Sequence, residues 1–520
     1  MNKYSLKNII LHPFLLGLYP VVALLGHNIS QMRISEATRA TLVMLSVVTL
    51  VVILLRLIFR NWQQAAFMTT FLIVVFLSYG YLHDFLKQTN SDLPIVRHRF
   101  LIPFFLLVIS IGFWWIKKVH DLNTWTLALN MIGLVAVVFP LYQIVSYRVI
   151  TSIEMFSKRS EAASNEELPV SNDLVYRDVY YIILDAYARD DILQEMYGYD
   201  NSEFLDQLRA MGFYIAECSQ SNYSKTSHAL LSTLNLNYLD VLAGGEAKDI
   251  QNPPAFMNFS EVRKVLNSFG YTSVAFSTSY PFTELTEADI YLQTETINTN
   301  MFGPASAINS FEALLINTRG LILMDALSLF DIDILPQTEE AKIRSIVGLG
   351  PLKQRYAHVL NTLDELDNIS SLPSPKFVFA HVVAPHEPYI FAADGTFIPQ
   401  QEQNGEAYIN QLSYVNQRII PIISGIIKNS DTPPILIIQG DHGSSEVEYT
   451  PPRVMILNAY YLPNGGEQLL YSTITPVNTF RLILDYYFGS DYGLIEDISY
   501  NSKSKEDTFD YEVVPNLCDR

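Results

Sequence analysis

The sequence predicts a two-part fold: an N-terminal transmembrane helical bundle of about five helices, followed by an α/β/α sandwich. Three observations predict it. Long apolar runs crowd the chain before Tyr147. The charge then changes sign: up to Ile150 there are 12 Lys+Arg against 4 Asp+Glu, and from Thr151 onward 22 against 49. In that second part, short runs of β-branched and aromatic residues alternate with helical patterns. At 520 residues the chain exceeds one ordinary domain. The expected organisation is a membrane-spanning domain over residues 1–150, a linker over 151–178 and a soluble domain over 179–520.

The apolar stretches run over Leu11–Leu25, Ala40–Phe59, Ala65–Tyr81, Phe100–Ile116 and Trp125–Val145. Most approach the ~20 residues that cross a bilayer core, and few charges interrupt them. The first is the shortest and contains Pro20. No small-residue cleavage site follows it, so it reads as a span rather than a removable leader. Trp114, Trp115 and Trp125 fall near the expected ends, where amphipathic rings favour the interface. Basic residues divide evenly between the two sets of loops: Lys3, Lys7, Arg56, Arg60, Lys117 and Lys118 against Arg33, Arg39, Lys87, Arg97, Arg99 and Arg148. Sidedness therefore rests on parity. An odd number of spans puts the second domain opposite the N-terminus, and the expectation is a multi-pass protein of the cell membrane with that domain extracytoplasmic.

From Ser152 to Asp178 the chain is polar, charged and without apolar periodicity, which reads as a linker. Strands are expected at Val179–Leu184, Thr272–Phe276, Phe377–Val383, Ile435–Ile438 and Val454–Ala459. Helices are expected at Glu203–Met211, Glu261–Phe269, Leu352–Leu366, Gln411–Lys428 and Val477–Tyr487. Several strand runs are continuously apolar rather than alternating, the pattern of a sheet buried on both faces by helices. In such folds the functional groups gather beyond the C-terminal ends of strands.

The acidic second part argues against nucleic acid as a partner, because it repels phosphate backbones. Cys218 and Cys518 are the only cysteines. They sit in neither a CxxC nor a zinc-type spacing. Either they pair in an oxidising compartment or both stay free, and the sequence assigns them no chemical role.

Three polar groups follow expected strands. Asp185 closes VYYIILD, His381 and His386 lie along and after FVFAHVVAPHEPY, and Asp441 and His442 close ILIIQGDHGS. Alone each is weak, since an Asp after a strand commonly serves a turn or a helix cap. Together they bring two Asp and two or three His to one sheet edge, a donor set that suits one divalent metal ion, Mn, Mg or Zn. The hydroxyl-rich stretch SNYSKTSHALLSTLN, Ser221–Asn235, leads into an apolar helix. Its hydroxyls cap that helix, or one of them is a nucleophile whose pKa the helix N-terminus and an adjacent cation lower.

These residues carry a resemblance. YYIILDAYARDDIL resembles the first motif of the sulfatase-like branch of the alkaline phosphatase superfamily. NYSKTSHALLSTLN resembles its nucleophile segment, APHEPY its substrate-binding histidine motif and QGDHGS its second metal motif, in family order from about Val179 to Ser444. Apolar spans ahead of such a domain also look like membrane-anchored lipoteichoic acid synthases and phosphoethanolamine transferases. The resemblance implies an alkaline phosphatase/sulfatase-like sandwich. It implies Asp185, Thr226, Asp441 and His442 as metal ligands, with Thr226 also the nucleophile because KTS matches the transferase version of the motif. Ser224 is the alternative nucleophile, from aligning YSKTSH on the sulfatase pattern. His386 would hold the transferred group's oxygens or protonate the leaving group, with His381, Lys225 and Arg453 as further substrate contacts; Lys225 and Arg453 serve equally as a solvated side chain and a surface ion pair. His228 faces the site or merely the helix surface.

Two departures narrow the reading. Neither Cys218 nor Ser224 stands in the C/S-x-P-x-R context of formylglycine enzymes, which argues against sulfate ester hydrolysis. No histidine follows His442, which argues for a one-metal site. The expected function is a membrane-anchored transferase that moves a phosphoryl-alcohol group from a phospholipid-like donor to a surface glycan or lipid through a phospho-threonine. The alternatives are a phosphodiesterase or sulfatase-like hydrolase of the same fold and, in another class, a non-catalytic membrane-anchored binding domain. Expected partners are a membrane lipid and an anionic phosphodiester or sulfate ester.

Overall fold

The structure, a computed structural model, describes residues 9–29, 32–89, 98–119, 122–164, 175–244, 253–278, 280–294, 309, 311–312, 314–315, 337–399, 401–447, 450–503, 510–516 and 518. The chain divides into two compact units, Met1–Val149 with Ile297–Pro351, and Ile150–Thr296 with Leu352–Arg520. The segment Ile297–Pro351 thus groups with the first unit, although the sequence reading assigned all of 179–520 to one soluble domain.

The first unit contains α1 (His12–His27), α2 (Ala37–Phe59), α3 (Trp62–Thr89) and α4 (His98–Lys118), and most of the apolar part of α5 (Asn123–Ser164). Among the described residues four stretches are long and apolar enough to cross a membrane: Ile34–Phe59, Trp62–His83, Phe100–Lys118 and Asn123–Ile153. The fifth expected span is shorter: α1 has 16 residues, below the ~20 that cross a bilayer core. Small residues sit at the helix contacts, with Gly17 against Val48, Gly133 against Leu15 and Gly26 against Pro140. The fully buried His12 bonds Thr70 through Nδ1 at 2.6 Å, and its N–H donates to Asn130 Oδ1 at 2.8 Å. Phe311 packs among Val21, Val22, Leu25 and Ala40, and Glu312 pairs with Arg39.

The expected linker begins as helix, because α5 runs on to Ser164. Polarity hid this from the sequence. Residues such as Glu154, Lys158, Arg159, Glu161 and Ala162 are good helix formers, and extending an existing helix avoids the cost of nucleation. The rest of the expected linker up to 174 lies outside the described residues.

The second unit is the expected α/β/α sandwich. Its strands are β1 (Val179–Leu184), β2 (Tyr214–Ile215), β3 (Thr272–Phe276), β4 (Ile290–Leu292), β5 (Lys376–Val382), β6 (Ile435–Gln439) and β7 (Asn458–Tyr461). They form one sheet in the order β2-β7-β6-β1-β5-β3-β4. β6, β1, β5, β3 and β4 run parallel, while β7 pairs antiparallel with both β6 and β2. The helices are α6 (Asp190–Tyr197), α7 (Ser202–Ala210), α8 (Thr226–Leu234), α9 (Leu239–Leu242), α10 (Pro253–Asn258), α11 (Glu261–Ser268), α12 (Gln337–Asn368, in this unit from Leu352 onward), α13 (Gly405–Asn429) and α14 (Pro476–Phe488). A separate hairpin, β8 (Ser499–Ser502) with β9 (Tyr511–Val514), ends the fold.

Strand β1 shows why the sequence read as a doubly covered sheet. All six of its residues are buried. Tyr180, Ile182 and Leu184 pack on one face with Leu363 of α12 and Leu412 and Val415 of α13. Val179, Tyr181 and Ile183 pack on the other with Leu231 of α8, Leu266 of α11 and Phe480 of α14. With both faces dry, every position of the strand is apolar rather than every second one.

The strand expected at Val454–Ala459 starts later. Pro451–Val454 forms a short 3-10 turn and β7 begins at Asn458. Residues before Asn458 bond outside the ladder, Met455 N–H to Pro452 O at 3.1 Å and Leu457 N–H to Tyr187 O at 3.2 Å, so pairing with β6 starts only at Asn458. That turn brings Arg453 inward: it is buried, not the surface ion pair that the sequence also allowed.

Candidate active site and metal centre

The resemblance selected residues that stand far apart in sequence, and the sheet gathers them. Asp185 follows β1, His381 and His386 come from the end of β5 and its loop, Asp441 and His442 follow β6, and Thr226 opens α8. β1 lies between β5 and β6, so three strand ends deliver their polar groups side by side. Asp185 N–H donates to Val382 O at 3.0 Å, and Asp441 Oδ1 accepts from Ala186 N–H at 3.0 Å. This junction is tight: a Cβ on Gly440 would lie 2.5 Å from Tyr187 O, so only glycine lets the two strand ends approach.

Donor atoms of Asp185, His386 and His442 all lie within 4.8 Å of one another, as do those of Asp185, His381 and Asp441. His442 Nε2 is 3.6 Å from Asp185 Oδ1 and 3.4 Å from Asp441 Oδ2. Both of these oxygens are buried without a hydrogen-bond partner among the described residues. Orphaned buried carboxylate oxygens are costly, and here both lie beside the same imidazole nitrogen. His442 Nδ1 donates to Gly443 O at 2.9 Å, which leaves Nε2 as a lone pair facing the two carboxylates. The set fits a divalent cation bound by oxygen and imidazole.

The electrostatics match such a set. Burial pushes the Asp441 carboxyl up to about 7, and the charge of neighbouring Asp185 adds to that. Burial also raises Asp185, but His386, the hydrogen bond from His381 and His442 outweigh it and hold Asp185 far below the usual carboxylate range. Two adjacent carboxylates thus divide one proton between them unequally. Burial, then the Arg453 charge, keeps His442 neutral well below its ordinary pKa. Burial lowers His386 too, against the pull of Asp185.

Thr226 Oγ1 lies 3.0 Å from His442 Nε2 and is partly exposed at the first residue of α8. The Ser224 hydroxyl faces elsewhere and accepts from Ser502 N–H at 2.9 Å. Lys225 precedes the helix in extended conformation; burial, and after it the Lys225 charge, oppose protonation of His228. His228 is buried and bonded to the Tyr511 hydroxyl, so it turns to neither the site nor the helix surface. His381 is buried as well. Its Nε2 meets Asp185 Oδ2 at 3.1 Å, so its reach is to Asp185 and not to an open cleft. Arg453 is fixed by Gly443 O at 2.7 Å and Ser224 O at 3.3 Å, with Nη2 3.3 Å from His442 Nε2. Arg189 pairs with Asp191 at 2.8 Å.

Two contributors escaped the sequence reading. Arg355 of α12 donates to Val383 O at 3.1 Å, His386 O at 3.0 Å and the Tyr280 hydroxyl at 3.0 Å, so it fastens the loop that presents His386. Nothing in the spacing of α12 marks it. The other is the C-terminal hairpin, about 280 residues from Thr226, whose end forms a disulfide, Cys518 with Cys218.

No protein-family profile matches the chain, and no curated protein sequence does. Among solved structures the chain is similar to the C-terminal periplasmic domain of EcEptC from Escherichia coli, at 11% identity over 67% of this chain and 93% of that one, with a TM-score of 0.40. It is similar to a protein in the alkaline phosphatase superfamily from Vibrio parahaemolyticus, at 9% identity over 68% and 81%, with a TM-score of 0.38. It is also similar to the integral membrane lipooligosaccharide phosphoethanolamine transferase A (EptA) from Neisseria meningitidis, at 12% identity over 88% and 89%, with a TM-score of 0.32. Likeness at these scores and identities bears on neither chemistry nor substrate.

Proposed function

We propose that the protein is a membrane-anchored, metal-dependent phosphotransferase that takes a phosphoryl-alcohol group from a phospholipid-like donor. The observation that supports it best is the approach of a partly exposed hydroxyl, Thr226 Oγ1, to the same imidazole nitrogen that two orphaned carboxylate oxygens face. A hydroxyl at a helix N-terminus beside a cation site is an activated nucleophile in waiting.

Asp185, Asp441, His442 and Thr226 would hold the ion, with His386 beside them, and one divalent cation would supply charge neutralisation for the phosphoryl oxygens and acidify the Thr226 hydroxyl. Thr226 Oγ1 forms a bond to phosphorus while the bond from phosphorus to the lipid alcohol breaks; the proton that Thr226 gives up is the one the departing alkoxide requires. An acceptor hydroxyl then attacks the phospho-threonine and releases Thr226. Arg453, pinned beside His442 by backbone carbonyls, presents a fixed guanidinium to the transferred group. Burial disfavours the charged form of His386, against the pull of Asp185, so it serves as a lone pair or a hydrogen-bond partner toward the transferred group. His381 orients Asp185.

The extracytoplasmic side is supported by the Cys218–Cys518 disulfide, since such bonds persist in oxidising compartments. The apolar helices supply the anchor, which suits a donor that resides in the bilayer.

The test is peptide mass spectrometry of the purified protein after incubation with phospholipid vesicles and manganese. A phosphoryl-alcohol adduct on Thr226, absent from Thr226→Ala and present in Ser224→Ala, is the expected result. Phosphorylated head group released into water without any adduct would favour the hydrolase. Full turnover by Thr226→Ala would overturn the assignment.

A further inference from the structure

The segment that carries Thr226 is bonded along its length to the end of the chain. Tyr500 N–H donates to Asn222 O at 2.9 Å and Ser224 N–H donates to Tyr500 O at 3.1 Å. Ser502 N–H donates to the Ser224 hydroxyl at 2.9 Å. Tyr223 stacks on Tyr500 with ring centroids 5.3 Å apart, and Tyr511 meets Tyr223 edge-on, also at 5.3 Å. The Tyr511 hydroxyl bonds His228 Nδ1. Residues on both sides of Thr226 therefore rest on the β8–β9 hairpin. The far end of that hairpin is fastened twice more, by the Cys218–Cys518 disulfide and by Asn516 Nδ2 donating to Cys218 O at 2.7 Å.

Among the described residues the other donors, Asp185, Asp441 and His442, make no hydrogen bond to this hairpin. Asp185, Asp441 and His442 stand at the ends of β1 and β6, in the middle of the seven-stranded sheet. Thr226 reaches the site from a segment bonded to the hairpin on one side and, through Ser221 N–H to Val454 O and Val477 N–H to Asn222 Oδ1, to the body of the domain on the other. A two-stranded hairpin by itself is marginally stable in water, so its hold depends on what pins it down, and the disulfide is the covalent pin.

We infer that the C-terminal hairpin, tethered by Cys218–Cys518, positions Thr226, so that opening the disulfide disables group transfer while Asp185, Asp441 and His442 stay assembled. Tyr511 and Ser502 are positioning residues in this arrangement. The inference rests on the reading of Thr226 as nucleophile.

The test uses the full-length protein in detergent, treated after folding with dithiothreitol. The S–S bond takes up two electrons and two protons and becomes two thiols, while dithiothreitol closes to its cyclic disulfide; a thiol reagent counts the two thiols. On reduction kcat falls at least tenfold, KM for the phospholipid stays within twofold and bound metal is unchanged. Deuterium uptake rises in peptides spanning 219–234 and not in those of β1 and β6. Reoxidation restores activity. The double variant Cys218→Ser, Cys518→Ser behaves as the reduced protein, and Tyr511→Phe shows a smaller loss, again in kcat. The inference is overturned if two thiols appear while kcat and exchange over 219–234 stay as they were, or if metal is lost together with activity. Should the oxidised protein show no transfer at all, the reading of Thr226 fails instead. The exchange measurement then decides the hairpin's role: raised uptake over 219–234 supports the tether, and unchanged uptake overturns it.

Discussion

Loading the site with metal should release a proton in a pH-dependent way, and Asp441 sets the window. Burial and the Asp185 charge push its carboxyl up to about 7 from an ordinary value of 3.8. Between these two values the folded protein stripped of metal holds a proton on Asp441 that the unfolded chain does not. The contribution of Asp441 to stability is therefore present at low pH and falls as pH rises through this window. A cation must displace that proton. At pH 6 Asp441 is about nine-tenths protonated, and at pH 8.5 almost fully ionised, which follows from a pKa of about 7. His442 and His386 are held neutral by burial and add little to the difference, and any proton lost by Thr226 is common to both pH values. The expected difference is thus about one proton per ion between pH 6 and pH 8.5. Affinity should fall about tenfold per pH unit below 7, because each unit costs about 1.4 kcal/mol. Titration calorimetry of the chelator-stripped protein with zinc or manganese, in buffers of different ionisation enthalpy, reads the proton count directly. Equal proton release at the two pH values, with flat affinity below pH 7, would refute the reasoning and mean that Asp441 is ionised at rest.

Two further outcomes follow from the geometry. Gly440→Ala puts a methyl group 2.5 Å from the Tyr187 backbone O and 3.3 Å from Ile456 Cβ, neither of which is the far end of a flexible side chain; thermal unfolding should show a loss of about 1–3 kcal/mol, with weaker metal binding because Asp441 follows directly, and unaltered stability would contradict the close approach. Arg355→Met removes the donors to Val383 O, His386 O and Tyr280; turnover should drop about tenfold or more with metal content retained, and Arg355→Lys should not rescue it because an ammonium cannot span the same fork of acceptors. Activity assays beside elemental analysis decide this one.

Much of the molecule was legible in the residues themselves. A strand buried on both faces must be apolar throughout, so VYYIIL and ILII announced the central sheet, and β1 and β3 begin and end where the pattern put them. Apolar length likewise marked four helices able to cross a membrane, while α1 at 16 residues fell short. That Asp185, Asp441 and His442 come together was legible because each follows a strand run, a local rule. Other features answer to no local rule. The turn at Pro451–Val454 carried Arg453 inward, where backbone carbonyls hold it, and the bond from Leu457 N–H to Tyr187 O kept β7 from starting before Asn458. The polar stretch after residue 150 stayed helical because extending α5 needs only adequate helix formers, not an apolar face.

Composition, charge and periodicity determined the two-part architecture and the residue types at the sheet edge, because burial and strand geometry act on neighbours in sequence. Which hydroxyl faces His442, whether Cys218 meets Cys518 across a separation of 300 residues, and what holds the His386 loop were decided by tertiary structure alone. Thr226 and Ser224 are two residues apart and chemically alike. Only the start of α8 and the hairpin that takes up the Ser224 hydroxyl direct one of them to the site and the other away from it.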